Sequence, residues 1–99
     1  MDKVIMPTEL EVMKMSLFMK VMSDSTRVKI LFAIKEKPKS VFEIQELVGA
    51  TQSAVSHQLS IMRKLNIVDT TRDGNKIFYE LTDKSVAKIL DIVKTNINL

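Results

Sequence analysis

Three residues, Gly49-Ala50-Thr51, are all that separate two short helical stretches, and no other feature restricts the fold of this chain so strongly. Ser40 and Glu43 form a capping box that opens the first stretch. Within it Ile44, Leu47 and Val48 recur at the spacing of one inward face, and Gly49 suits the left-handed residue that closes a helix. Thr51 caps the second stretch, expected over residues 52–65, with Val55, Leu59, Met62 and Leu65 along one side. Two short helices joined this tightly read as a helix-turn-helix.

The rest of the chain divides around this unit. With 2 glycines and 2 prolines in 99 residues there is no flexible linker and no repeat, so residues 1–99 read as one domain. Thr8 and Glu11 make another capping box, opening a helix over about residues 8–22. Its apolar residues fall in two arcs, Leu10, Met13, Leu17 and Val21 on one, Met15, Phe18, Met19 and Met22 on the other. That is too much for one buried stripe, so the second arc needs a second partner. Ser23 or Asp24 caps the next helix, where Val28, Leu31 and Ile34 keep helical spacing until Pro38 stops it. From Ile67 the period changes to alternation: a strand from Ile67 to Arg72, a turn at Asp73-Gly74-Asn75, and a strand from Lys76 to Leu81. Asp83 caps a last helix over about 83–97, with Val86, Ile89, Leu90, Val93 and Ile97 as its stripe. The expected fold is mainly α with a β-hairpin wing over 67–81, a winged helix-turn-helix in the order α-α-α-α-β-β-α.

Composition removes several kinds of function. With no cysteine, disulfides, thiolate metal sites and thiol catalysis are excluded. The longest strictly apolar run, Ile30 to Ile34, is far too short to span a membrane, and no signal-peptide pattern is seen, so a cytoplasmic location without membrane association is expected. A net charge of +3 permits nucleic-acid binding without demanding it. The single histidine, His57, has no cysteine to activate, and neither a carboxylate pair nor a glycine-rich phosphate loop is present, so no enzyme is expected. The 7 methionines suit adaptable packing better than a soft-metal site, and no metal or cofactor is expected.

The helix from Gln52 carries the strongest functional signal. Opposite its apolar side, Ser53, Ser56, His57, Ser60 and Lys64 gather in one polar arc. A solvated helix face is usually filled with Glu, Lys and Arg; three serines and a histidine are poor helix formers there and suit a surface pressed against something polar. Hydroxyls and amides contact phosphates and base edges, and an α-helix fits the major groove. A solvated face that happens to be small and polar is the plainer alternative. In the hairpin, Arg72 and Lys76 flank the tip, placed to reach the DNA backbone or minor groove, although an ordinary solvated tip would look the same. Arg63, Lys64, Arg72 and Lys76 against Asp69 and Asp73 leave this region at +2, modest for a DNA reader unless doubled in a dimer.

Four segments together, Met22-Ser-Asp-Ser-Thr-Arg-Val-Lys-Ile-Leu, Thr51-Gln-Ser-Ala-Val-Ser-His-Gln-Leu-Ser, Arg72-Asp-Gly-Asn-Lys and Tyr79-Glu-Leu-Thr-Asp, resemble the ArsR/SmtB family of winged-helix repressors over about residues 10–95. The resemblance implies a homodimer joined through the first and last helices, bound to a double-stranded operator and released when an inducer binds. It implies DNA contacts at Gln52, Ser53, Ser56, His57 and Gln58, with Arg72 and Lys76 on the wing; the polar arc adds Ser60 and Lys64. The dimer surface is expected on Met13, Met15, Leu17, Phe18 and Met19 of the first helix and Val86, Ile89, Leu90, Ile92 and Val93 of the last.

The departures leave the inducer open. Where metal-sensing members carry Cys-Val-Cys, this chain has Ser40-Val41-Phe42. Where others place an Asp and three His on the last helices, it offers Asp83, Ser85, and Asn96 beside an apolar residue. A dimeric sequence-specific repressor is the first reading. A winged-helix module that binds protein through the same polar face is the rival, which salt-dependent DNA binding would separate from it.

Overall fold

The computed structural model describes residues 3–97; the four outermost residues of the expected domain, 1, 2, 98 and 99, lie outside that range. Its elements run α1 (Glu9–Val21), α2 (Ser25–Ile34), β1 (Lys39–Ser40), α3 (Val41–Val48), α4 (Gln52–Lys64), β2 (Val68–Asp73), β3 (Lys76–Leu81) and α5 (Ser85–Asn96). This is a winged helix-turn-helix, with the expected order interrupted by one additional strand.

Local signals set most helix starts. Both capping boxes form, with Thr8 and Glu11 each accepting from the other's backbone N–H at 3.1 and 2.8 Å, and Ser40 and Glu43 doing so at 3.2 and 3.0 Å. Asp24, rather than Ser23, caps α2 by accepting from the Arg27 N–H, and Thr51 caps α4 by accepting from that of Ala54. Gly49 closes α3 at φ 75°. The start of α5 differs from expectation. Lys84 already has helical backbone angles, so Asp83 sits ahead of the cap and accepts instead from the Ser85 N–H at 2.8 Å.

The sheet has order β1-β3-β2 with both pairings antiparallel. Two residues after Pro38 suffice for β1, whose Lys39 pairs with Tyr79 and Ser40 with Phe78. So short a strand carries no alternation for a sequence reading to detect. In the hairpin Asp73 pairs with Lys76, which leaves a two-residue turn of Gly74-Asn75 instead of three, with Gly74 at φ 66°.

The core is one cluster: Ile30, Leu31 and Ile34 from α2, Ile44 from α3, Val55, Leu59 and Met62 from α4, Val68 and Leu81 from the sheet, and Val86 and Leu90 from α5. Two expected inward residues are elsewhere. Leu47 is 62% exposed, because Ile44 and Val48 take the inner face of α3 and Leu47 turns to a groove beside it. Leu65 is largely exposed because α4 ends at Lys64; Asn66 then adopts φ 60°, a left-handed angle that Asn tolerates, and Ile67 packs against the core instead. From α1 only Val21 is buried, with Phe18 and Met22 half-buried, so most of that helix stands clear of the body of the molecule.

Candidate nucleic-acid interface

Val55, Leu59 and Met62 fix the roll of α4, since burying these three commits the opposite side of the helix to the surface. Gln52, Ser53, Ser56, His57, Ser60 and Lys64 are accordingly all exposed. They form a face of hydroxyl, amide and imidazole groups, with Arg63 and Lys64 in the last turn. Its chemistry is that of short donors and acceptors able to meet base edges and phosphates.

Gln58 differs from these residues. It is half-buried at the border of the face, and its side-chain carbonyl accepts a hydrogen bond from Arg27 Nη1 at 2.9 Å. The same guanidinium donates through Nε to the Val21 carbonyl at 2.9 Å and through Nη2 to that of Lys20 at 3.2 Å. Arg27 therefore joins the last turn of α1 to α4. Arg27 lies within one of the segments that carry the family resemblance, and its position three residues after the Asp24 cap is the one local sign of this role.

The hairpin leaves α4 at a fixed angle. The Ile67 N–H donates to the Met62 carbonyl and the Thr82 N–H to the Ile67 carbonyl, both at 2.9 Å, which ties the base of the hairpin to the end of the helix. Arg72 and Lys76 lie exposed on adjacent strands beside the Gly74-Asn75 tip. The register pairs Asp73 with Lys76 and Arg72 with Ile77, so the two cations sit at the same end of the hairpin on opposite faces of it.

A second surface lies between α1, α2 and α5. Met13, Met15, Leu17 and Met19 of α1 and Ile89, Ile92 and Val93 of α5 are exposed, Met19 by 61% and Ile92 by 60%. Below them runs an apolar groove of about 910 Å³, whose lining includes Phe18, Met19, Phe32, Leu47, Ile89 and Val93. Two expected members of the dimer surface belong elsewhere: Val86 and Leu90 are buried in the chain's own core, because they form the stripe by which α5 packs on the domain. Phe18, expected to lack an intrachain partner, packs partly against that core as well. On the outer side of α5, Lys35 bridges Glu36 and Asp91 at 2.6 and 3.2 Å. The bonds to Glu36 and then Asp91 hold its ammonium above the ordinary lysine range.

At the positions where the resemblance points to metal ligands, the side chains have other partners. Asp83 accepts from the Ser85 N–H, a bond that holds its carboxyl below the usual range, and Asn96 donates to the Ile92 carbonyl at 2.7 Å. Among the described residues, no three His, Asp or Glu side chains gather in one place.

Residues 24–70, which hold α2 through the start of β2, match the family described as bacterial regulatory protein, arsR family. The biofilm growth-associated repressor of Xylella fastidiosa is 31% identical over 77 residues, covering 78% of this chain and 68% of the repressor. The chain belongs to the arsR family. The HTH-type transcriptional regulator NmtR of Mycobacterium tuberculosis is 42% identical over 66 residues, covering 67% of the present chain and 55% of NmtR. This arsR-family chain therefore matches little more than half the length of that regulator. Among solved structures, NolR from Sinorhizobium fredii superposes with a TM-score of 0.79 at 30% identity, over 96% of this chain and 95% of that one.

Proposed function

We propose that this arsR-family chain is a homodimeric, sequence-specific repressor that binds a double-stranded DNA operator and leaves it when an inducer binds. In this reading α4 enters the major groove, with Gln52, Ser53, Ser56, His57, Ser60 and Lys64 toward bases and phosphates and Gln58 at the edge of the contact. Arg72 and Lys76 of the hairpin lie along the neighbouring backbone and contribute affinity more than specificity. A second copy covers the exposed apolar residues of α1 and α5, pairing two reading helices about one helical turn apart on the DNA. The protein performs no chemistry and resides in the cytoplasm, and residues 1–99 act as one domain. The observation that carries this reading is the exposed face of α4, rolled outward by Val55, Leu59 and Met62 and built of short polar side chains, with Arg72 and Lys76 exposed on the hairpin that follows it.

Footprinting on the DNA upstream of the protein's own gene tests it. Protection of two related half-sites, weakening steeply as salt rises, is the expected result. Binding that ignores sequence, or no binding at low salt, would overturn it in favour of a protein-binding module.

A further inference from the structure

The hydrogen bond between Arg27 and Gln58 limits what Gln58 can read. A guanidinium only donates, so the Gln58 atom it meets must be the carbonyl oxygen, and the orientation of the amide follows from chemistry alone. With its oxygen turned to Arg27 and one lone pair engaged there, the amide turns its NH2 group away from Arg27 toward other partners. Among the described residues, no buried side-chain nitrogen or oxygen of a half-buried residue lacks a partner, so this NH2, which has none, is open to solvent at the border of the α4 face. A free glutamine can pair with adenine through one donor and one acceptor. Gln58, held this way, has its oxygen directed at Arg27 and both N–H donors free.

We propose that Arg27 is a positioning residue for DNA reading: by holding the Gln58 carbonyl it turns the amide so that its NH2 group donates to a DNA acceptor, a phosphate oxygen or a purine N7. The inference rests on the assignment of α4 as the DNA-reading helix. Arg27 can hold this position because its other two contacts, the Lys20 and Val21 carbonyls, are backbone groups at the end of α1. Three anchoring bonds restrict the guanidinium far more than one would. The orientation of the Gln58 amide is thereby tied to the helix that carries the apolar surface.

The experiment begins with duplexes enriched by the wild-type protein from a random-sequence library. On the enriched duplex, single 7-deazapurine substitutions remove N7 acceptors and single methylphosphonates remove anionic phosphate oxygens. One position is expected at which such a change weakens wild type by about three- to tenfold, the worth of one hydrogen bond, and leaves Gln58→Met unaffected. The substitution that produces the effect identifies the acceptor. Arg27→Met and Gln58→Met are each expected to weaken binding by about the same factor, and together by no more than the larger single effect. Gln58→Glu separates positioning from mere support of the fold. A carboxylate accepts from Arg27 as well as an amide does but has nothing to donate, so binding falls while the melting temperature holds.

Rescue by Gln58→Glu, additive losses in the double variant, or no position whose effect vanishes in Gln58→Met would each overturn the proposal. Should Arg27→Met fail to fold, the two Gln58 variants still decide it. Ser56→Ala with His57→Ala provides the reference. If that variant loses sequence preference while the Gln58 variants bind as wild type, only the Arg27 inference fails; if it too binds as wild type, or no duplex is enriched, the reading of α4 fails with it.

Discussion

Met19→Glu is the most direct challenge to the proposed dimer. Met19 is 61% exposed on α1 and lines the groove between α1, α2 and α5, so the substitution removes little from the packing of one chain. Glutamate is also a good helix former, so α1 should persist. Full burial of a methionine side chain is worth about 1.5–3 kcal/mol, and the exposed part represents about 1–2 kcal/mol still to be gained on association. A two-fold interface contains the residue twice, so losing both contributions costs about 2–4 kcal/mol. That raises the dimer dissociation constant by about 30- to 1000-fold, and the desolvation of two carboxylates adds to it. Sedimentation equilibrium of both proteins, with circular dichroism to confirm that the variant is folded, reads the effect. Wild type is expected to be dimeric at micromolar concentration and the variant to approach the 11.3 kDa of one chain. A wild-type monomer at tens of micromolar, or a folded variant that dimerises as tightly as wild type, would refute the argument.

Other expectations concern the DNA surface, pH and metals. Ser56→Ala with His57→Ala should weaken operator binding by about 1–3 kcal/mol and erode the preference over random DNA, without lowering the melting temperature, since both side chains are exposed. Lys76→Ala should weaken specific and random DNA alike, and flatten the dependence of log K on log salt by about 0.9 for each phosphate that is no longer neutralised. The carboxyls of Glu43 and Asp83 are held below their usual range, chiefly by the backbone N–H groups of Ser40 and Ser85. A lowered native pKa adds stability above the ordinary carboxylate value that is lost as pH falls through the native one. Stability should therefore drop on acidification, and Glu43→Gln, which keeps the capping box, should flatten the slope in a pH series of melts. Calorimetric titration with zinc, nickel and cobalt should give no stoichiometric sub-micromolar binding that releases DNA, because one histidine and no cysteine per chain supply too few ligands.

What the sequence made legible depended on how local the cause was. A capping box needs four consecutive residues, so the starts of α1 and α3 could be read directly, and Gly49 marked a left-handed stop just as directly. The polar face of α4 followed from its period, because Val55, Leu59 and Met62 leave only one side free. Where the cause lies in distant residues, the reading failed. β1 exists because β3 offers it an edge, which Lys39 and Ser40 do not announce. Leu47 has the spacing of an inward residue and lies in the groove because the core beneath α3 is filled by Ile44 and its neighbours. The bond between Arg27 and Gln58 spans 31 positions, and no local pattern encodes it.

The two long apolar helices show a related limit. Periodicity counts the apolar faces of a helix but does not say what covers each one. Val86 and Leu90 share a stripe with Ile89 and Val93, yet the first pair is buried in the chain's own core and the second remains exposed. The stripe on α5 is thus divided lengthwise, half holding the helix to the domain and half facing outward beside α1. On α1 the division falls along the axis, with Val21, Phe18 and Met22 packed at one end and the methionines before them open. Isolated apolar residues on a surface need no explanation, whereas a set of them on two helices that line one groove does. A second copy of the same surface fits this arrangement with the fewest assumptions, since one two-fold contact covers both helices at once. Because Arg27 bonds the last turn of α1 and Gln58 together, a shift of α1 against its partner would also reach the edge of the α4 face proposed to read DNA. That route requires no metal, and an inducer acting through it would need only to favour one packing of the paired helices over another.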